Sequence, residues 1–231
     1  MRSLWKFDTR VWKTADAGSP LTVIFAATLL VSSIFIVPVI ADKFLDPRLS
    51  VADIMIFSAM PGIIAYRFFC AEKLPLTWLK KGEIIKIAGM AFGAFLLCAA
   101  VSSVWETVLK LLNIPFDDQQ YALTLVKNSS GMERVKLFFA MCVFTPLIEE
   151  LLFRRIVYGA LLNIGVVTAF FCTALIFSIC HFFILGIPGL FILGLLFQFA
   201  YLRFRNLTAA VVMHAVFNTI SFLGAISLPE M

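Results

Sequence analysis

Glu149, Glu150, Arg154 and Arg155 fall within Phe144-Thr145-Pro146-Leu147-Ile148-Glu149-Glu150-Leu151-Leu152-Phe153-Arg154-Arg155, a stretch that otherwise reads as a membrane helix. A charged group at bilayer depth costs about 2.5–3.5 kcal/mol on insertion scales. Four such groups on one helix need compensating partners. The chain has 2 histidines, His181 and His214, and each sits in a later apolar segment. Buried carboxylates and imidazoles inside a membrane relay protons or hold a metal ion. These residues are therefore read as one buried polar site.

The spacing distributes them over helix faces. Glu150 and Arg154 are four residues apart, in the order that favours pairing, and form a packing clamp. Glu149 is rotated by about 100° from Glu150 and is free to point elsewhere. Pro146 has no N–H for the carbonyl of Cys142, so a kink is expected beside the site. Phe177 precedes His181 by one helical turn, and Asn218 follows His214 by one, so His214 and Asn218 share a face. Ser178 and Cys180 flank His181 in sequence but project in other directions. Arg155 reads as a snorkelling or lipid-facing cation.

Composition defines the elements that must carry these residues. The 231 residues are 61% hydrophobic and 14% charged, with a mean hydropathy of +0.98. A soluble domain of this size cannot hide so much apolar surface, so an all-α polytopic transmembrane bundle is expected. The excess of 19 Lys and Arg over 14 Asp and Glu is loop charge that orients helices, and no nucleic-acid partner is implied. The five cysteines form no CxxC pair and carry no redox or zinc-ribbon signal.

Apolar runs suggest about seven spans (six to eight), at 21–41, 51–71, 84–105, 133–162, 166–185, 188–204 and 207–228. Residues 1–20 are basic and read as a cytoplasmic N-terminal segment ahead of a retained first span. Residues 21–132 hold the N-terminal helices and one long connection, 106–132. There a short interfacial helix starts at Trp105 and stops at Pro115. Residues 133–228 form the core that carries the site. Basic residues concentrate on the side of the N-terminus, with Arg203 and Arg205 agreeing, which predicts N-in and C-out. From the turn at 163–165, Glu149 and His181 lie roughly 22–26 Å deep and His214 about 12 Å, at 1.5 Å per residue.

Glu149-Glu150-xxx-Arg154, Phe177-xxx-His181 and His214-xxx-Asn218 occur in the order of the three signature motifs of the CPBP family, which holds the Rce1-like CAAX proteases and the bacterial Abi-type membrane proteins. The resemblance covers about residues 133–221, and no motif position departs from the pattern. It implies an intramembrane endopeptidase of glutamic type. Glu149 would be the base that activates a water, with His181 helping to hold it. His214 and Asn218 would stabilise the oxyanion, and Glu150, Arg154 and Phe177 would be structural support. A carboxylate in a dry cavity holds its proton toward the range useful to a base, and donors aimed at an oxyanion act most strongly where water is excluded.

The resemblance implies no cofactor, and the sequence shows no identifiable eukaryotic targeting feature, so a bacterial inner-membrane setting is expected. It implies the bilayer and a membrane-associated peptide or protein, lipidated or not, as partners. Eukaryotic relatives cleave prenylated CAAX tails, and bacterial members are associated with peptide maturation and bacteriocin immunity. Two other chemistries use the same residues. Glu149, His181 and His214 would make a His₂Glu zinc site with one open position, although HExxH is missing. A proton-coupled transporter would use the buried Glu and His as a relay, although no inverted repeat or paired broken helices accompany them.

Overall fold

A computed structural model describes residues 76–116, 121–181 and 183–227, together with Ser50, Ala52, Asp53 and Ile56. The segment 1–20, the span at 21–41 and most of the span at 51–71 lie outside the described residues. Every element among those described is helical.

The first long helix, α1, runs Lys81–Leu111 over 31 residues, about 46 Å at 1.5 Å per residue. Glu83 Oε2 accepts the Lys80 N–H at 2.9 Å and closes its first turn. The short interfacial helix expected from Trp105 is instead the last turns of α1. Leu109, only 1% exposed, continues its buried face, and Glu106 pairs with Lys110 along the same helix at 2.5 Å. Asn113, at φ 53°, turns the chain out of α1. The separate short helix of this connection is α2, Tyr121–Asn128. Arg134 fastens the junction that follows by donating to the carbonyls of Lys127 and Ser129, and Lys136 meets Asp53 at 2.8 Å.

Residues 131–164 form one composite helical run rather than a plain helix. It comprises α3 (Gly131–Phe139), a π-helical segment (Ala140–Phe144), α4 (Thr145–Glu150), a second π-helical segment (Leu151–Val157), α5 (Tyr158–Leu161) and a 3-10 turn (Leu162–Ile164). The irregularity expected at Pro146 is a wider turn just before it, where the Thr145 N–H reaches back five residues to Ala140 O. Gly165, at φ 111°, then reverses the chain, a backbone conformation that suits glycine.

Helix α6 covers Val166–Ile179, 14 residues, about 21 Å long. It ends six residues before the expected span limit at 185. Ser178 Oγ donates to Ile187 O at 2.6 Å, and the chain folds back through a 3-10 turn at Ile184–Gly186. Helix α7 follows at Ile187–Phe204, with Pro188 in its first turn where a missing N–H is harmless. Arg205 at φ 50° closes it, and α8 runs Leu207–Ser227.

Helix α6 packs on α7, and α1 lies across α7 and α8. At Gly194 an added Cβ would stand 3.1 Å from Ala174 Cα and 3.2 Å from the Phe177 ring, so glycine sets the α6–α7 distance. Phe153, Tyr158, Phe177 and Phe197 fill the centre. Phe92, Leu96, Val104, Phe171, Leu175 and Leu223 point outward, the apolar surface that a bilayer covers. Among the described residues, three helices are long and apolar enough to cross a membrane: Lys81–Leu111, Ile184–Phe204 and Leu207–Ser227. Helix α6 is apolar but shorter.

Candidate active site

The site is built where α4, the end of α6, α7 and α8 meet. Its base is a fully buried ion pair. Arg154 Nε lies 2.7 Å from Glu150 Oε2, with both side chains at 0% exposure, and Arg154 Nη2 lies 3.5 Å from Glu150 Oε1. Arg154 Nη1 donates to Gln198 Oε1 of α7 at 3.3 Å. The guanidinium stands 5.4 Å from the Phe177 ring centroid and 6.0 Å from that of Phe197. Pairing, hydrogen bonds and cation–π contact together compensate a charge that could not otherwise be buried.

Glu150 also reaches α8, where its Oε1 lies 3.1 Å from His214 Nδ1. A carboxylate only accepts, so Nδ1 carries the proton and Nε2 is left for other work. That Nε2 faces Glu149 Oε2 at 3.9 Å, too far for a hydrogen bond. Glu149 is buried, and its Oε2 has no hydrogen-bond partner among the described residues. Adjacent glutamates thus differ: Glu150 is held by Arg154 and His214, whereas Glu149 keeps a free acceptor.

His181 does not sit inside a helix, as its apolar surroundings suggest. It lies in the turn after α6, with Nδ1 2.7 Å from Phe177 O. The ring thereby occupies one of the carbonyls that a helix end leaves open. Since a carbonyl accepts, Nδ1 is the protonated nitrogen and Nε2 faces away with its lone pair. The ring centroid of Phe177 is 4.7 Å from that of His181 and 6.2 Å from that of His214. Phe197 stacks on His214 at 4.5 Å. Both histidines are therefore set against one aromatic wall.

Asn218 extends its amide to the composite helix, donating from Nδ2 to Met141 O at 2.8 Å. The difference in depth expected between Glu149 and His214 does not keep them apart, since His214 Nε2 and Glu149 Oε2 stand 3.9 Å from each other. Arg155 is only 7% exposed and so is packed inside the protein rather than facing lipid. Gln198 was not singled out from sequence, although a lone carboxamide in the apolar run of α7 was a usable signal. Glu149, His181 and His214 do not gather into a metal-holding set: among the described residues no group of three His, Cys, Asp or Glu side chains does.

Comparison with known proteins reaches the helical region that carries the buried Glu–Arg–His cluster. Residues 132–220, which include every site residue above, match the family model of type II CAAX prenyl endopeptidase Rce1-like proteins. Over 144 residues the chain is 25% identical to the membrane-embedded CAAX protease MroQ of Staphylococcus aureus (strain USA300). That match spans 58% of this chain and 58% of the relative, so the chain covers little more than half of that protein's length. No solved structure matches the chain. Residues 132–220 are therefore similar to the Rce1-like family, and the long apolar helices make the chain an integral membrane protein.

Proposed function

We propose that the protein is an intramembrane endopeptidase that hydrolyses a peptide bond in a membrane-associated or lipidated peptide, with Glu149 activating the water. The observation that carries this reading is the division of labour between neighbouring carboxylates. Glu150 is held by Arg154 and His214, while Glu149 Oε2 is buried with no hydrogen-bond partner among the described residues.

In this reading a water hydrogen-bonds Glu149 and the Nε2 lone pair of His181. Glu149 takes one proton from it as the oxygen adds to the scissile carbonyl carbon. The carbonyl oxygen becomes an oxyanion. His214 Nε2–H and the amide N–H of Asn218 not committed to Met141 would stabilise it. Because His214 Nδ1 already donates to Glu150, donation from Nε2 requires the imidazolium. The C–N bond then breaks, and Glu149 returns its proton to the leaving amine. The scheme routes no step through a metal.

The test compares membrane peptides from cells carrying the native chain with those carrying Glu149→Gln at matched abundance. Peptides truncated only in the native cells are expected, and their intact precursors should accumulate in the variant. Identical profiles would overturn the assignment.

A further inference from the structure

Met141 occupies the first π-helical segment, and its carbonyl has lost both of its helical donors. The Thr145 N–H, which an α-helix would give to Met141 O, goes to Ala140 O. The residue a π turn would use next is Pro146, which has no N–H. Inside a membrane no bulk water replaces such a donor. Asn218 does so from another helix, with Nδ2 2.8 Å from Met141 O. One turn earlier on α8, His214 meets Glu150 at 3.1 Å. Helix α8 therefore grips the composite helix on both sides of Pro146, at Met141 and at the last residue of α4, and Glu149 lies between the two grips.

We propose that Asn218 is a positioning residue whose amide replaces the N–H that Pro146 lacks, tying α8 to the Met141 carbonyl and so fixing where α4 presents Glu149. The consequence for catalysis rests on the peptidase reading above, whereas the tether itself does not. The amide has two N–H groups, so anchoring one to Met141 leaves the second in a defined direction.

The chain supplies its own probe, because Cys142 lies next to Met141 and is 1% exposed. The other cysteines are replaced (Cys70→Ala, Cys98→Ser, Cys172→Ala, Cys180→Ala), and labelling of Cys142 by N-ethylmaleimide is followed in native membranes. Asn218→Ala is expected to speed labelling about tenfold, the scale of losing a hydrogen bond from a buried acceptor. Pro146→Ala restores a main-chain donor. The double variant Pro146→Ala/Asn218→Ala should label within about twofold of Pro146→Ala alone. If Asn218→Ala does not accumulate, Asn218→Leu, which keeps the volume without a donor, takes its place.

Cleavage of a peptide identified in the preceding comparison is measured in parallel, and the double variant should regain at least part of the activity that Asn218→Ala loses. Unchanged labelling in Asn218→Ala, or additive effects in the double variant, would overturn the tether. Suppressed labelling without any recovery of cleavage would overturn its positioning role. If the parent cleaves nothing, the peptidase reading fails while the labelling still decides the tether.

Discussion

Replacing Glu150 by Gln changes one oxygen to an amide inside the most enclosed charge pair of the protein. The native carboxylate receives Arg154 Nε at 2.7 Å and His214 Nδ1 at 3.1 Å, on different oxygens. A glutamine has one acceptor and one donor group, so either Arg154 or His214 must face an N–H₂. Removing one partner of a buried pair costs about 3–5 kcal/mol, because the other charge is left uncompensated. For a chain of 150–250 residues each kcal/mol moves Tm by about 2–4 °C, so Glu150→Gln should melt roughly 6–20 °C lower. Purified protein in detergent, followed by tryptophan fluorescence, gives that number, and immunoblots of membranes should show reduced abundance. Among the described residues Glu149→Gln removes no hydrogen bond of Glu149 Oε2, and it should melt within about 2 °C of native while losing cleavage. A Glu150→Gln protein as stable as native, or a Glu149→Gln protein destabilised as much, would refute the division between the two carboxylates.

Other outcomes follow from the same contacts. Gln198→Leu deprives Arg154 Nη1 of its acceptor at 3.3 Å, a hydrogen bond to a charged group worth about 1.5–3 kcal/mol. Its Tm loss should be smaller than that of Glu150→Gln and non-additive with it in the double variant. Cleavage should survive exhaustive chelation in protein containing substoichiometric zinc, and loss on stripping with recovery on zinc addition would replace the glutamic mechanism. Topology is read with single cysteines at Ser3, Ile184 and Glu230 on a cysteine-free background. Gly186 is unsuitable as a site because an added Cβ would stand 2.4 Å from the Phe183 ring. An impermeant thiol reagent on intact cells should label Ile184→Cys and Glu230→Cys but not Ser3→Cys, as N-in and C-out requires. The reverse pattern would put the site on the cytoplasmic side.

What the sequence made legible follows the physics of local spacing. Glu150 and Arg154, four residues apart, pair as the spacing demands, and α7 and α8 start and stop within one residue of the expected limits. Phase was harder to read. A wheel drawn at about 100° per residue puts Leu137 and Glu149 about 120° apart, yet both are buried. The first π segment absorbs roughly one residue of that rotation. No propensity marks such a segment beyond the proline that follows it. The end of α6 escaped for a related reason. Residues 179–185 are almost uniformly apolar, and at the helix end the His181 ring takes Phe177 O while Ser178 bonds to Ile187 O, contacts invisible to hydropathy. Arg155 was misplaced because its charge suggested lipid or solvent, whereas it lies in the second π segment and is buried.

Phe177 meets two opposite requirements concerning water. Hydrolysis within a bilayer must admit one water molecule, whereas the Glu150–Arg154 pair gains most from admitting none. The fully buried ring of Phe177 touches both regions, with Arg154 over it at 5.4 Å and His181 beside it at 4.7 Å. On the proposed peptidase reading it would stand as an insulating partition between the side where the water is needed and the dry side of the ion pair. Shrinking this side chain would hydrate the permanent charges and weaken the scaffold from within, even with every ionisable group in place.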